Sequence, residues 1–278
     1  MKDGDIKFWS KISHKIMEEV DEAISPLVGQ VKAGETVKMG ADGTPTKLID
    51  LVAEEKVVEI LKSTEIPLTL VSEEIGRFKF GDDPSKVIFV VDPLDGTSNA
   101  LKNIPAYGIS LAVAEISKIE DSMTIKDVEM GFVKNFATGD IYEAVKGRGA
   151  ILNGESIFTS KEGDISTSSI GAYIYRADMK KIDKLCKMVR RMRILGSVAI
   201  ELCYVADGTY DAFLDVRGNL RIVDVSAARL IVEEAGGMVT NEYNQPLSGK
   251  LNVLERTSII ASGNSNIHQE LIQILGGI

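Results

Sequence analysis

Two carboxylates three residues apart, Asp92 and Asp95, stand directly after the apolar run Val87-Ile88-Phe89-Val90-Val91 and just before Gly96-Thr97. The run reads as a buried strand, because it is short, continuous and rich in β-branched residues. Pro93 cannot donate to a ladder, so the strand is expected to stop there. Asp92 and Asp95 then emerge at its carboxyl end, where open sheets bind their ligands. Gly96 and Thr97 look like a helix entry, whose free N–H groups attract anions. Hard oxygen ligands suited to Mg²⁺ beside an anion nest point to phosphoryl chemistry. Two more carboxylates sit at element ends that could face the same cleft: Glu73, after Leu68-Thr69-Leu70-Val71, and Asp224, at the start of a helix.

Other routes to that chemistry lack residues. The only histidines, His14 and His268, lie near opposite ends of the chain, against a phosphohistidine or a histidine-rich zinc site. A nucleophilic Cys186 would want an arginine six residues on, where Met192 stands. No Walker loop occurs, and an aspartyl-phosphate mechanism would want two aspartates two apart rather than three. Metal-activated water is the reading left.

The elements that must position these groups alternate in blocks, so the class is α+β or mixed α/β. A long amphipathic helix carries Phe8, Ile12, Ile16, Val20, Ile24, Leu27 and Val31 at helical spacing. A loop rich in Gly and Thr follows from Gly34 to Lys47 and should be mobile, before a helix from about Asp50 to Leu61. After the strand at 87–91, further strands are expected at 108–116, 128–134 and 140–145. A softer boundary falls near 156–169. Beyond it come a strand near 170–175, a helix near 178–191, a strand at 193–195, a helix at 197–206 and a strand at 210–215. A helix from Ser226 to Ala235 is opened by Asp224 and closed by Gly236-Gly237. Strands near 238–241 and 258–262 and a short terminal helix complete the chain.

The 278 residues carry a formal net charge of −9. That balance argues against nucleic acid or an anionic membrane as partner. It also means that metal ions must reverse the local sign before a phosphate ester can enter a carboxylate-rich site. Two cysteines, Cys186 and Cys203, make no disulfide framework, and the N-terminus leads straight into an amphipathic pattern without a signal peptide. Both suit a reducing cytoplasm. No apolar run approaches the length of a membrane span.

The chain resembles the inositol monophosphatase superfamily of Mg²⁺-dependent, lithium-sensitive phosphatases. The resemblance is carried by Val71-Ser72-Glu73-Glu74, by Asp92-Pro93-Leu94-Asp95-Gly96-Thr97, and by Asp224-Val225-Ser226-Ala227-Ala228 with Glu234-Ala235-Gly236-Gly237. Leu152-Asn153-Gly154 and the Gly196-Ser197 turn support it, and the matches run in order over nearly the whole chain. The resemblance implies a layered α-β-α-β-α sandwich of the sugar-phosphatase type and a homodimer. It implies one catalytic domain over 1–278, with the metal motifs in about 1–160 and about 161–278 completing the site. By the same resemblance Glu73, Asp92, the Leu94 carbonyl, Asp95 and Asp224 hold two or three Mg²⁺ ions, with Mn²⁺ able to substitute. Asp50 and Thr97 orient the nucleophilic water, with Glu73 beside them as a catalytic residue, and Gly96 and Thr97 N–H groups hold phosphate oxygens.

Within that superfamily the segment Phe213 to Asp224 has Val223 where typical inositol monophosphatases carry a tryptophan. It looks more like the archaeal enzymes that hydrolyse both fructose 1,6-bisphosphate and inositol 1-phosphate. The distal phosphate of a bisphosphate needs a cation, and Arg193 and Arg217 are the candidates, with Arg176 and Arg221 behind them. Asp95 is counted with Gly96 and Thr97 among the substrate-binding residues. A 3′-phosphoadenosine 5′-phosphate phosphatase is the alternative, against which no clear aromatic pair is seen near the substrate loops. A non-catalytic phosphosugar-binding regulator is the alternative of another class. Several residues keep a plain structural reading: Glu74 as a solvated neighbour of Glu73, Asp224 as a helix cap, Asp42 as a loop residue or a third-metal ligand, Asp215 at a strand end or on substrate hydroxyls, and Cys203 in the core.

Overall fold

The computed structural model describes residues 1–41 and 43–276. The chain opens with helix α1 (Asp3–Ile24) and a hairpin of β1 (Thr36–Met39) and β2 (Pro45–Lys47), then α2 (Leu48–Ser63). Strands β3 (Leu68–Ser72), β4 (Gly76–Phe80) and β5 (Val87–Asp95) lead into the single turn α3 (Thr97–Ala100). A meander follows: β6 (Gly108–Glu115), β7 (Met130–Asn135), β8 (Ile141–Val145), β9 (Ala150–Leu152) and β10 (Glu155–Ser156). The second half holds β11 (Ser169–Ala172), α4 (Met179–Met188), β12 (Arg191–Arg193), α5 (Val198–Ala206) and β13 (Ala212–Arg221). It ends with α6 (Ile222–Glu234), β14 (Met238–Thr240), β15 (Arg256–Ser262) and α7 (Ser265–Ile274).

The strands form an eight-stranded sheet in the order β10-β9-β8-β7-β6-β5-β3-β4 and a five-stranded sheet in the order β12-β11-β13-β15-β14. Helices α1 and α2 cover the outer face of the larger sheet, α5 and α6 lie between the sheets, and α7, packed with α4, covers the outer face of the smaller one. This is the expected α-β-α-β-α sandwich, with one apolar core at each of its helix-bearing layers.

Strand β5 shows why its sequence is unbroken in apolar residues. Val87, Phe89 and Val91 enter the core beneath α1 and α2, while Ile88 and Val90 enter the central core. Alternate residues face opposite sides of a sheet, and here both sides are covered. Helix α6 is buried at every position from Ile222 to Val232, so it lacks the polar face of a surface helix. It approaches β7 so closely that a Cβ on Gly131 would stand 2.7 Å from the Ala227 carbonyl oxygen.

Several expected boundaries move. Pro93 does not end β5: pairing with β6 runs from Val87 to Asp92, slips, and resumes at Asp95. Pro93 lies in that slip, where no ladder donor is required. The stretch 34–47, expected as a loop, carries the β1–β2 hairpin, and β4, not expected, pairs along β3. Helix α6 begins two residues before Asp224, with Arg221 at its N-cap.

Candidate functional site

Strands β3 and β5 are parallel neighbours, paired from Leu68↔Val87 to Ser72↔Val91. Their carboxyl ends therefore lie side by side. One residue beyond the last pair come Glu73 and Asp92, on adjacent strands spaced by about 4.8 Å. Asp224 enters from the first turn of α6, the buried helix between the sheets. One carboxylate oxygen from each of Glu73, Asp92 and Asp224 lies within 4.8 Å of the others.

Burial dominates the electrostatics of this group. It pushes Glu73 up to about 8, with Arg221 opposing and the Asp224 charge adding. Burial likewise drives Asp92 well above the usual carboxylate range, reinforced by Glu73 and Asp95, and it raises Asp224 against the pull of Arg221. Asp92 Oδ1 accepts the Leu94 N–H at 3.1 Å, whereas Oδ2 is buried without a hydrogen-bond partner. An orphaned buried carboxylate oxygen inside an all-oxygen cluster fits a hard divalent cation, whose charge would return these groups to their ionised forms.

Beside the cluster, Thr97 Oγ1 donates to Asp50 Oδ1 at 2.8 Å and lies 3.1 Å from the Leu94 carbonyl. Asp50 Oδ2 accepts the backbone N–H of Lys47 at 2.9 Å, which closes the first turn of α2. The structure thus joins Asp50 and Thr97, 47 residues apart in sequence. Gly96 sits between Asp95 and Thr97 at φ 88°, and a Cβ there would stand 2.7 Å from the Ala106 carbonyl oxygen, so glycine is required. Asp95 stands beside the three-carboxylate group and is fixed from the other half of the chain. Its Oδ2 accepts from Ser197 Oγ and from the Ala199 N–H, both at 2.7 Å, and burial pushes it up to about 6. The 195–197 turn that supplies Ser197 is held in turn by buried Glu201, whose Oε1 accepts the N–H groups of Leu195 at 3.0 Å and Gly196 at 3.1 Å.

Other expected residues fall differently. Glu74 is not a solvated neighbour of Glu73: it is 7% exposed and accepts a hydrogen bond from Thr46 of β2. Its side chain ties the hairpin to the site. Arg193, at the end of β12, donates to Ser169 and lies over the Tyr210 ring. Arg217 is committed to Asp215, by Nε at 2.8 Å and by its terminal NH2 at 2.6 Å. It is also stacked on Tyr175 with its guanidinium carbon 4.2 Å from the ring centroid. The structure brings neither into the carboxylate group. It brings Arg221 there instead, on Glu73 and Asp224. The available signal was its spacing, three residues before Asp224 at a helix entry, where a residue and its third successor meet. An aromatic pair not anticipated near the substrate loops is present too: Tyr173 and Tyr175, ring centroids 5.8 Å apart, just past β11. Asp42 lies outside the described residues. Among the described residues no helix is long and apolar enough to cross a membrane.

Comparison with known proteins gives a consistent set of relatives. The model of the inositol monophosphatase family matches residues 4–277. A fructose-1,6-bisphosphatase/inositol-1-monophosphatase of Methanothermobacter thermautotrophicus is 55% identical, over 99% of both chains. A bifunctional NADP phosphatase/NAD kinase of Methanocaldococcus jannaschii is 42% identical over 96% of this chain, which spans 50% of that relative. A solved structure of an inositol monophosphatase–fructose 1,6-bisphosphatase superposes with a TM-score of 0.84 at 32% identity, covering 96% of this chain and 99% of that one.

Proposed function

The chain belongs to the inositol monophosphatase family and is a phosphomonoester hydrolase, and on that premise we propose that it hydrolyses fructose 1,6-bisphosphate and inositol 1-phosphate with Mg²⁺. The reaction is supported above all by the Asp50–Thr97 hydrogen bond beside the carboxylates of Glu73, Asp92 and Asp224. The substrate pair is supported by the name of the relative that is 55% identical end to end.

Glu73, Asp92 and Asp224, with Asp95 and the Leu94 carbonyl, would hold the ions, which when bound acidify water and neutralise charge on the phosphate and leaving oxygen. Thr97 Oγ1 gives its proton to Asp50 as it accepts one from the attacking water, so Asp50 is the base acting through Thr97. Burial raises Asp50 above the ordinary carboxylate range, which brings it closer to the affinity that a general base needs. The N–H groups of Gly96 and Thr97, at the start of α3, hold phosphate oxygens, since the first N–H groups of a helix have no acceptor within it. Asp95, clamped by Ser197 and Ala199, takes a substrate hydroxyl. Arg193 serves the distal phosphate, while Arg217 holds Asp215. A homodimer in a reducing cytoplasm, with Cys186 and Cys203 free, completes the proposal.

A second reading, removal of a phosphate from a nucleotide, has its own observation. Tyr175 is half exposed and backed by Arg217, a shelf on which a base can stack. It accords with the NADP phosphatase name of the relative at 42% identity. The test measures phosphate release with Mg²⁺ from fructose 1,6-bisphosphate, inositol 1-phosphate, NADP and 3′-phosphoadenosine 5′-phosphate side by side. Strong release from the first two is expected. Release from a nucleotide alone would transfer the assignment to the second reading, and no release from any would revive a binding role.

A further inference from the structure

Arg221 occupies a position that the hydrolytic scheme does not use. It ends β13 and is the N-cap of α6. Its backbone N–H donates to Asp224 Oδ2 at 3.1 Å, its Nε donates to Asp224 Oδ1 at 2.8 Å, and a terminal NH1 donates to Glu73 Oε1. The side chain is 18% exposed. One guanidinium thus bridges two of the three carboxylates whose oxygens cluster within 4.8 Å.

We infer that Arg221 is a resident cation of the metal centre, which competes with the incoming ion for Glu73 and Asp224 and so sets the metal affinity. This rests on the metal-centre reading above. The argument is one of shared oxygens and charge. Three carboxylates this close repel one another, and a bridging cation offsets that repulsion and keeps Glu73 and Asp224 at ligand spacing. A divalent ion draws on the same two carboxylates, and the positive guanidinium already held there opposes its binding. The backbone hydrogen bond to Asp224 Oδ2 is independent of where the side chain lies. The helix cap therefore survives when the guanidinium swings away, and Asp224 stays aimed at the ion. Arg221 is by this account a positioning residue with two effects of opposite sign: it orders the ligands and it weakens the ion's hold.

The test is calorimetric titration of the full chain with MgCl2, without substrate, for the wild type, Arg221→Met and Arg221→Lys. The Met variant keeps an apolar stem and loses the charge. Its expected signature is Mg²⁺ binding about tenfold tighter than wild type, the scale of one charge-assisted hydrogen bond, with a lower melting temperature in chelator. The Lys variant is expected between the two. Unchanged or weaker binding in a folded Met variant overturns the inference, because Arg221 then only supports the ligands. Should the Met variant not fold in chelator, nitrogen-15 spectra of the wild type decide instead, with the Arg221 Nε–H assigned by its loss in Arg221→Lys. That signal must move or broaden as MgCl2 saturates the site, and a signal that stays put overturns the inference. A wild type that binds no Mg²⁺ removes the metal-centre reading itself, and the inference with it.

Discussion

At the scale of single residues the site separates ordering from chemistry. Asp50 accepts from both the α2 turn and Thr97, and in the proposed reaction only the Thr97 bond takes part. Asp50→Asn can keep its one oxygen on the Lys47 N–H while its NH2 donates to Thr97 Oγ1, whose proton then turns to the Leu94 carbonyl, so the shape is kept and the base is lost. We expect a fall in kcat of about 10²- to 10⁴-fold, with Mg²⁺ affinity and melting temperature near wild type. A variant with near-normal turnover would sink the role given to Asp50. Glu201 offers a test outside the metal group. Burial pushes it up to about 7 from an ordinary 4.5, so the folded chain keeps a proton that the unfolded chain has lost. Its contribution to stability is full below about 4.5 and is lost as pH rises through about 7. Glu201→Gln retains an acceptor for the Leu195 and Gly196 N–H groups without that loss. Between pH 5 and pH 8 the wild type should fall by up to about 3 kcal/mol relative to the variant, read from denaturant midpoints at both values. Parallel midpoints would reject it. The pairing of Asp50 with Thr97 was legible in the sequence only through the family resemblance, since residues 47 apart share no local signal. Arg221 was underrated for a different reason: its partner Glu73 comes from the other half of the chain, and charge alone does not tell which arginine will be buried.

At the scale of elements, the position of α6 decides where Asp224 stands. Gly131 on β7 lets the helix approach, and Ala227 is the residue it meets. Gly131→Ala would force a Cβ to 2.7 Å from a carbonyl oxygen, which the backbone must relieve by shifting. We expect a loss of about 1–3 kcal/mol, together with weaker Mg²⁺ binding as Asp224 is displaced. Unaltered metal affinity in a destabilised Gly131→Ala protein would show that α6 does not set the ligand spacing. Element types were readable from periodicity where one rule governs, as in α1 and β5. They were misread where two rules compete. Pro93 reads as a strand stop, but the slip in the β5–β6 register removes the need for its missing donor. The hairpin at 36–47 looks like a loop by composition, because Gly40, Gly43 and Thr44 fall between its strands, which are only three or four residues long.

At the scale of the whole molecule, the three carboxylates link two layers that meet in the central core. Glu73 and Asp92 belong to the larger sheet, Asp224 to the helix between the sheets. An ion held by all three favours the folded state over the unfolded by mass action, worth about 2.7 kcal/mol at a hundred times its dissociation constant. Scanning calorimetry should therefore show a higher melting temperature with Mg²⁺ than with chelator, and a difference that widens as pH rises and protons leave the ligands. Equal transitions would contradict the assignment. The layered architecture itself was inferable only from the family resemblance, because no local pattern states which sheet covers which helix. The burial of α6 between the sheets bears on which ion fits. Two of the proposed ligands ride on hydrogen-bonded neighbouring strands and the third on a helix packed into the central core, so widening the gap among them would open voids in that core. Such a frame sorts ions by radius: Mg²⁺, with oxygen contacts of about 2.0–2.1 Å, can be gripped by all three, whereas Ca²⁺, at about 2.3–2.6 Å, would have to spread the two layers apart.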